Sequence, residues 1–168
     1  MMFDNLSLTI SITFISWIVG MIINVFLRKT EFYNEKLSNL NFIKSENLNK
    51  IIGIGIFKWI VKNTFFKYFN PNLKLKKKVE MSDLNKLRSE MTKSEIDHLI
   101  GFIFVTFFAI AAIINGNYLF CLIIMILNFL MNLYPSLLQQ ENKRRIDRFI
   151  KVVARRQSQS NKKLKLMT

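Results

Sequence analysis

Two residues are spaced for acid–base work. Glu95 and His98 are three positions apart, so a helix puts both on one face. A carboxylate there could fix the imidazole tautomer and steady its protonated form, while the other ring nitrogen takes a proton from a hydroxyl. Later in the chain come Asn128, Asn132, Gln139 and Asn142, then Lys143, Arg144 and Arg145. Asn132 or Gln139 could donate hydrogen bonds to an acyl oxyanion, and a basic rim could hold the phosphates of an acyl donor. No serine or cysteine is evidently placed as a nucleophile, so the economical chemistry is direct acyl transfer from a thioester to a hydroxyl. Glu-x-x-His also occurs in di-iron helical bundles, but those need two such motifs and further glutamates. His98 is the single histidine and Cys121 the single cysteine, so neither a metal site nor a cofactor is expected.

Apolar segments must position these groups. The chain has 168 residues, 51% hydrophobic and 21% charged, with 25 Lys+Arg against 11 Asp+Glu and a net charge of +14. Charge is absent from two windows, 5–27 and 99–140. A hydrocarbon core about 30 Å thick takes roughly 20 helical residues. The first window spans once. The second is about twice as long and is interrupted by Asn115-Gly116-Asn117, a turn signal, so it folds as a helical hairpin. The expected fold is all-α: an integral membrane protein with three transmembrane helices, one N-terminal span and a C-terminal helical hairpin, plus an interfacial amphipathic helix. Its segments are a span at 1–27, a basic cytoplasmic or interfacial stretch at 28–95, the hairpin at 96–140 and a basic tail at 141–168.

Folding the hairpin about Gly116 sets a register, because two antiparallel helices rise equally. His98 falls level with a residue near position 134, and Glu95 with one near 137. Asn132, Tyr134, Pro135 and Gln139 lie around that depth. Ionisable groups at the edge of a span are functional candidates. The run Lys143–Arg145 taken alone reads as a solvated anchor, Pro135 could be only a kink, and Asn132 only helix–helix glue.

All 25 basic residues lie in 28–95 or 141–168. By the positive-inside rule the N-terminus and the hairpin turn lie outside and the basic segments in the cytoplasm. An acidic residue before the first span and Arg28-Lys29 after it make a reversed anchor rather than a cleaved signal peptide. Within 39–69, the stretch IIGIGIFKWIVKNTFFKYF spaces Lys58, Lys62 and Lys67 among aromatic and aliphatic residues, which suits a helix lying in the interface. LKLKKK at 73–78 is a basic connector, 82–97 a polar helix leading into the second span, and 157–168 an irregular basic tail. No helix-turn-helix, zinc finger or aromatic RNA-binding motif is present, and no nucleic-acid partner is expected.

At these residues the chain resembles the glycosyl-4,4'-diaponeurosporenoate acyltransferases, small bacterial membrane enzymes of staphyloxanthin-type carotenoid synthesis. One block is Glu95-Ile-Asp-His98 opening a span after the polar helix at 84–91. The other is NLYPSLLQQENKRR, whose Asn132, Gln139, Asn142 and Arg145 are similar to the family's Asn-x6-Gln-x2-Asn-Arg/Lys-x-Arg ending, with the proline shifted by one place. GIFKWIVK is weakly similar to a family stretch carrying Trp-Lys, with Phe57-Lys58 in that place. The resemblance covers about residues 50–150. It implies transfer of a fatty acyl group to a sugar hydroxyl of an apolar glycosylated acceptor, in or on the bacterial cell membrane. Acyl-CoA or an acyl carrier protein would be the donor. Asn132, Gln139, Asn142, Arg145 and Lys58 would bind substrate, whereas His98 and Glu95 as catalytic pair are a reading of the residues themselves. Another lipid or glycolipid acceptor fits equally, and an oligomer is possible. Two other expectations stand beside this one: a non-catalytic subunit of a larger membrane complex, and a peripheral sensor of anionic lipid using Lys58, Lys62 and the 74–78 cluster.

Overall fold

The computed structural model describes residues 2–42, 51–63 and 80–165. The basic connector at 73–78 lies outside the described residues, as do 43–50 and 64–69 of the amphipathic stretch. Three helices are long and apolar enough to cross a membrane: Asp4–Leu27, Met81–Ile114 and Tyr118–Gln159. No strand occurs among the described residues.

Helix α1 (Met2–Leu27) is built inside out. Thr9, Ile12, Thr13, Ser16, Gly20 and Asn24 are buried, at steps of three or four residues along one face. Phe14, Ile15, Ile18, Ile22 and Phe26 point outward. In hydrocarbon, apolar side chains gain nothing by turning inward, so small and polar residues make the helix contacts. The hydroxyls are satisfied within the helix: Thr9 Oγ1 donates to the Asn5 carbonyl at 2.7 Å, and Thr13 Oγ1 to that of Thr9 at 2.9 Å. After α1, Thr30 caps a short helix α2 (Glu31–Glu35), and a 3-10 turn follows at Leu37–Asn39.

Helix α3 (Ile54–Asn63) lies within the stretch read as amphipathic. It buries Ile54 and Val61 against Leu137 and Leu138 and leaves Trp59 66% exposed. Helix α4 (Met81–Ile114) joins the polar helix at 82–97 and the second span into one unbroken element. It ends at the predicted turn, where Gly116 adopts φ +69°, a value that favours glycine. Asn117 then caps helix α5 (Tyr118–Asn128) by accepting from the Phe120 amide at 3.2 Å. Val105, Ala109 and Ala112 of α4 pack with Phe120 and Ile124 of α5 and with Ile12 of α1.

The third span is not a uniform α-helix. A single π-helical turn, Phe129–Leu133, separates α5 from helix α6 (Tyr134–Lys165). Pro135 is the second residue of α6, directly after this turn. Proline has no N–H to give the carbonyl four residues back, which is that of Met131. That carbonyl instead accepts from the Trp17 indole N–H of α1 at 3.3 Å. Helix α6 then continues to Lys165, which corrects the irregular tail expected from 157 onward. From Ser136 to Lys165 the chain holds neither proline nor glycine, so an established helix has nothing to stop it. Its middle turns are packed: Ile146, Ile150 and Val153 lie against Leu84, Leu87 and Met91 of α4.

Candidate functional site

Three polar clusters lie where α1, α4 and the third span meet. Asn24 of α1 donates to the Lys93 carbonyl at 3.0 Å and to Asp97 Oδ1 at 2.6 Å. One turn earlier on α1, a Cβ on Gly20 would stand 2.2 Å from the Asp97 carbonyl oxygen. The two helix backbones approach so closely that only glycine fits there.

His98 is half-buried one position further along α4. The Trp17 ring meets its imidazole edge-on, with centroids 6.1 Å apart. His98 Nδ1 is buried without a hydrogen bond of good geometry, and so is Asn132 Oδ1. Asn132 Oδ1 lies beside Gly101, one turn beyond His98 on α4. The orientation of Asn132 follows from its other contacts. Its Nδ2 donates to Ser16 Oγ at 3.2 Å and to Asn128 Oδ1 at 2.9 Å. Ser16 spends its own proton on the Thr13 carbonyl, and Asn128 spends its amide on the Phe102 carbonyl and Thr106 Oγ1. Both acceptors therefore demand the Asn132 nitrogen, which leaves its oxygen on the side of Gly101. Gly101, one turn beyond His98, keeps the space open: a Cβ there would lie 2.9 Å from Asn132 Oδ1.

Glu95 is not part of that arrangement, which corrects the expected pairing. It is fully buried, and its two oxygens accept from Gln140 Nε2 at 2.9 Å and Lys143 Nζ at 2.6 Å. Lys143 is 2% exposed, against the solvated anchor expected of it, and also donates to the Ser38 and Leu40 carbonyls at 3.3 and 3.0 Å. A buried cation needs a partner, and this one has a carboxylate and two carbonyls. The cluster ties the segment after α1 to both long helices. Asn132 also departs from its expected part: with both amide hydrogens engaged, it presents an acceptor rather than a donor.

The other expected site residues lie further along α6 and on α3. Gln139 and Asn142 are half-buried, and Arg145 is exposed. Lys58 pairs with Glu141 at 3.5 Å, which bridges α3 to α6. The Phe57 and Tyr134 rings stack beside it at 5.2 Å, and Tyr134 donates to the Ile52 carbonyl at 2.8 Å. Ser16 and Trp17 are not singled out by the sequence, whereas Gln140 and Lys143 belong to the polar cluster expected at this depth, without the buried partnership with Glu95. For α1 a signal existed in the small and polar residues at 9, 13, 16, 20 and 24. For the burial of Lys143 none existed, since it sits in a run with Arg144 and Arg145.

Among the described residues, no group of three or more His, Cys, Asp or Glu side chains could hold a metal ion. The chain has three potential membrane spans and, where they converge, the buried polar atoms His98 Nδ1 and Asn132 Oδ1, without a hydrogen-bond partner among the described residues. The chain belongs to the glycosyl-4,4'-diaponeurosporenoate acyltransferase family, whose pattern matches residues 29–152. That match takes in His98 and Asn132 but not α1, which supplies Ser16 and Trp17. No curated protein and no solved structure matches the chain.

Proposed function

We propose that the protein is a membrane-bound acyltransferase that moves a fatty acyl group from a thioester donor to a hydroxyl of a membrane glycolipid or glycosylated carotenoid. The observation that carries this reading is the pair of buried, unpartnered polar atoms, His98 Nδ1 and Asn132 Oδ1, in a chain of this family. If Nδ1 keeps its proton for Asn132 Oδ1, Nε2 is the basic nitrogen, and it removes the proton from the acceptor hydroxyl. The hydroxyl oxygen attacks the thioester carbonyl. A C–O bond forms, the C–S bond breaks, and the proton held on His98 leaves with the thiolate as a thiol. Asn132 takes the orienting part that the sequence assigned to Glu95, an arrangement known from histidine–asparagine pairs in other acyl-transfer sites. Gln139 and Asn142, half-buried on α6, are the groups available to hold the acceptor sugar or the carbonyl oxygen.

The setting supports an apolar acceptor, since the site lies where apolar spans turn polar. It also supports a cytoplasmic location for the donor, because the basic segments flank that end. We place the protein in the bacterial cell membrane with its N-terminus outside and its C-terminus in the cytoplasm. The test is lipid extraction from cells that make the glycosylated acceptor and express either wild type or His98→Gln. Loss of the acylated product with His98→Gln, at equal protein level, is expected. Equal accumulation of that product by both would rule out His98 as the base.

A further inference from the structure

Lysine outnumbers arginine in this chain by 18 to 7, yet five of the seven arginines fall within 144–156. On α6, Ile146, Ile150 and Val153 take the face toward α4. Arg145, Arg148, Phe149, Val152, Arg155 and Arg156 recur at three- and four-residue spacing on the opposite face, and all are exposed. Phe149 is 54% and Val152 44% exposed, and together with Arg145 and Arg148 they line a shallow depression. Glu141 lies against Lys58, Asp147 lies 2.6 Å from Arg88 of α4, and Arg155 and Arg156 come at least two turns beyond both. No acidic residue follows Asp147 in the sequence.

Position along the helix decides what this face meets. Because α6 is unbroken from Tyr134, each residue past Gln140 advances about 1.5 Å. Arg145 stands about 8 Å beyond the apolar stretch, within reach of headgroups, but Arg155 and Arg156 stand about 23 Å beyond it. The usual tilt of a span shortens that by about a quarter at most. A headgroup layer adds only about 6 Å per side. Most of the face is therefore clear of the lipid. Arginine beside an exposed aromatic is the composition of a protein-binding surface, and guanidinium groups match carboxylates in geometry.

We infer that this face of α6 docks a small, soluble, acidic acyl carrier protein, which presents carboxylates along a helix and delivers the acyl thioester toward His98. The inference rests on the acyl-transfer reading and names its donor. Phe149 and Val152 supply the apolar centre, and Arg155 and Arg156 the charge that orients the carrier.

The experiment uses the full chain in nanodiscs and palmitoyl-loaded acyl carrier protein as the probe, with palmitoyl-CoA as the second donor. Arg155→Glu/Arg156→Glu is expected to weaken carrier binding at least tenfold and to slow transfer from the carrier similarly. Transfer from palmitoyl-CoA, if the enzyme accepts it, stays unchanged. Phe149→Ala, which removes no charge, is expected to weaken carrier binding as well. Wild type that fails to bind the carrier overturns the inference, and so does a double variant that binds it equally. Equal loss with both donors overturns it too, since that is a folding effect. Loss of binding to anionic vesicles, with carrier binding intact, assigns the face to lipid and also overturns it. Should the carrier bind in a manner that needs Arg155 and Arg156 while no acyl product forms with either donor, the acyl-transfer reading fails and the docking surface stands.

Discussion

Lys143 and Glu95 form a charge pair at 2.6 Å with 3% and 0% of their side chains exposed. Removing one member leaves the other buried and uncompensated, which typically costs about 3–5 kcal/mol. Glu95→Gln and Lys143→Met should each lower the thermal unfolding midpoint in detergent substantially. The double variant should recover much of the loss, because neither charge then remains. Single variants as stable as wild type would show that the pair bears no structural load.

Asn132→Leu keeps the branched shape but removes the oxygen beside Gly101 that the proposed mechanism directs to His98. Acyl transfer should fall about 10²–10⁴-fold, the usual worth of a positioned general base. Asn132→Asp should retain more activity than Asn132→Leu, because a carboxylate oxygen can still face the imidazole. Product formation by purified variants, compared at matched folding, decides between this role and a purely structural one.

Gly101→Ala places a methyl 2.9 Å from Asn132 Oδ1 and 3.3 Å from the Ser16 carbonyl. The amide must turn away from His98, so turnover should drop at least about tenfold, whereas overpacking costs about 1–3 kcal/mol of stability. Gly20→Ala is the complement. Its methyl meets Asp97 backbone at 2.2 Å, so α1 must separate from α4 and stability should fall. Unfolding midpoints for the two variants, set beside their turnover, separate the effects.

Trp17→Phe removes the indole N–H that the Met131 carbonyl accepts. A lost partner in a dry site costs about 1–3 kcal/mol. Pro135→Ala restores a backbone N–H four residues beyond Met131, so the double variant should be more stable than Trp17→Phe alone. A double-mutant cycle read by thermal unfolding checks this, and simple additivity would refute the link.

The hairpin was legible because its turn signal is local: Asn115-Gly116-Asn117 sits inside an uncharged window, and Gly116 takes the positive φ. Depth was legible too, since counting from Gly116 set His98 near 134 and Glu95 near 137. The structure puts Asn132 beside Gly101, one turn from His98, and Gln140 and Lys143 on Glu95. For Glu95 the offset arises because glutamate, glutamine and lysine side chains reach about a turn along the helices. That reach does not follow from counting. Which of Lys143, Arg144 and Arg145 turns inward depends on the rotation of α6 against α4, and that is fixed by Ile146, Ile150 and Val153. The extension of α6 through Lys165 could have been read from the absence of helix breakers, but its polar composition suggested a loose tail.

The inverted burial of α1 changes how variation in this segment should be read. With α1 spanning a membrane as proposed, Phe14, Ile15 and Ile22 face lipid, so exchange among bulky aliphatic residues there is nearly free. At Thr9, Thr13, Ser16, Gly20 and Asn24 even a modest gain in hydrophobic bulk forces the helices apart. Ranking substitutions by apolarity, as one would for a water-soluble core, would therefore mark the harmful changes as benign and the benign ones as harmful.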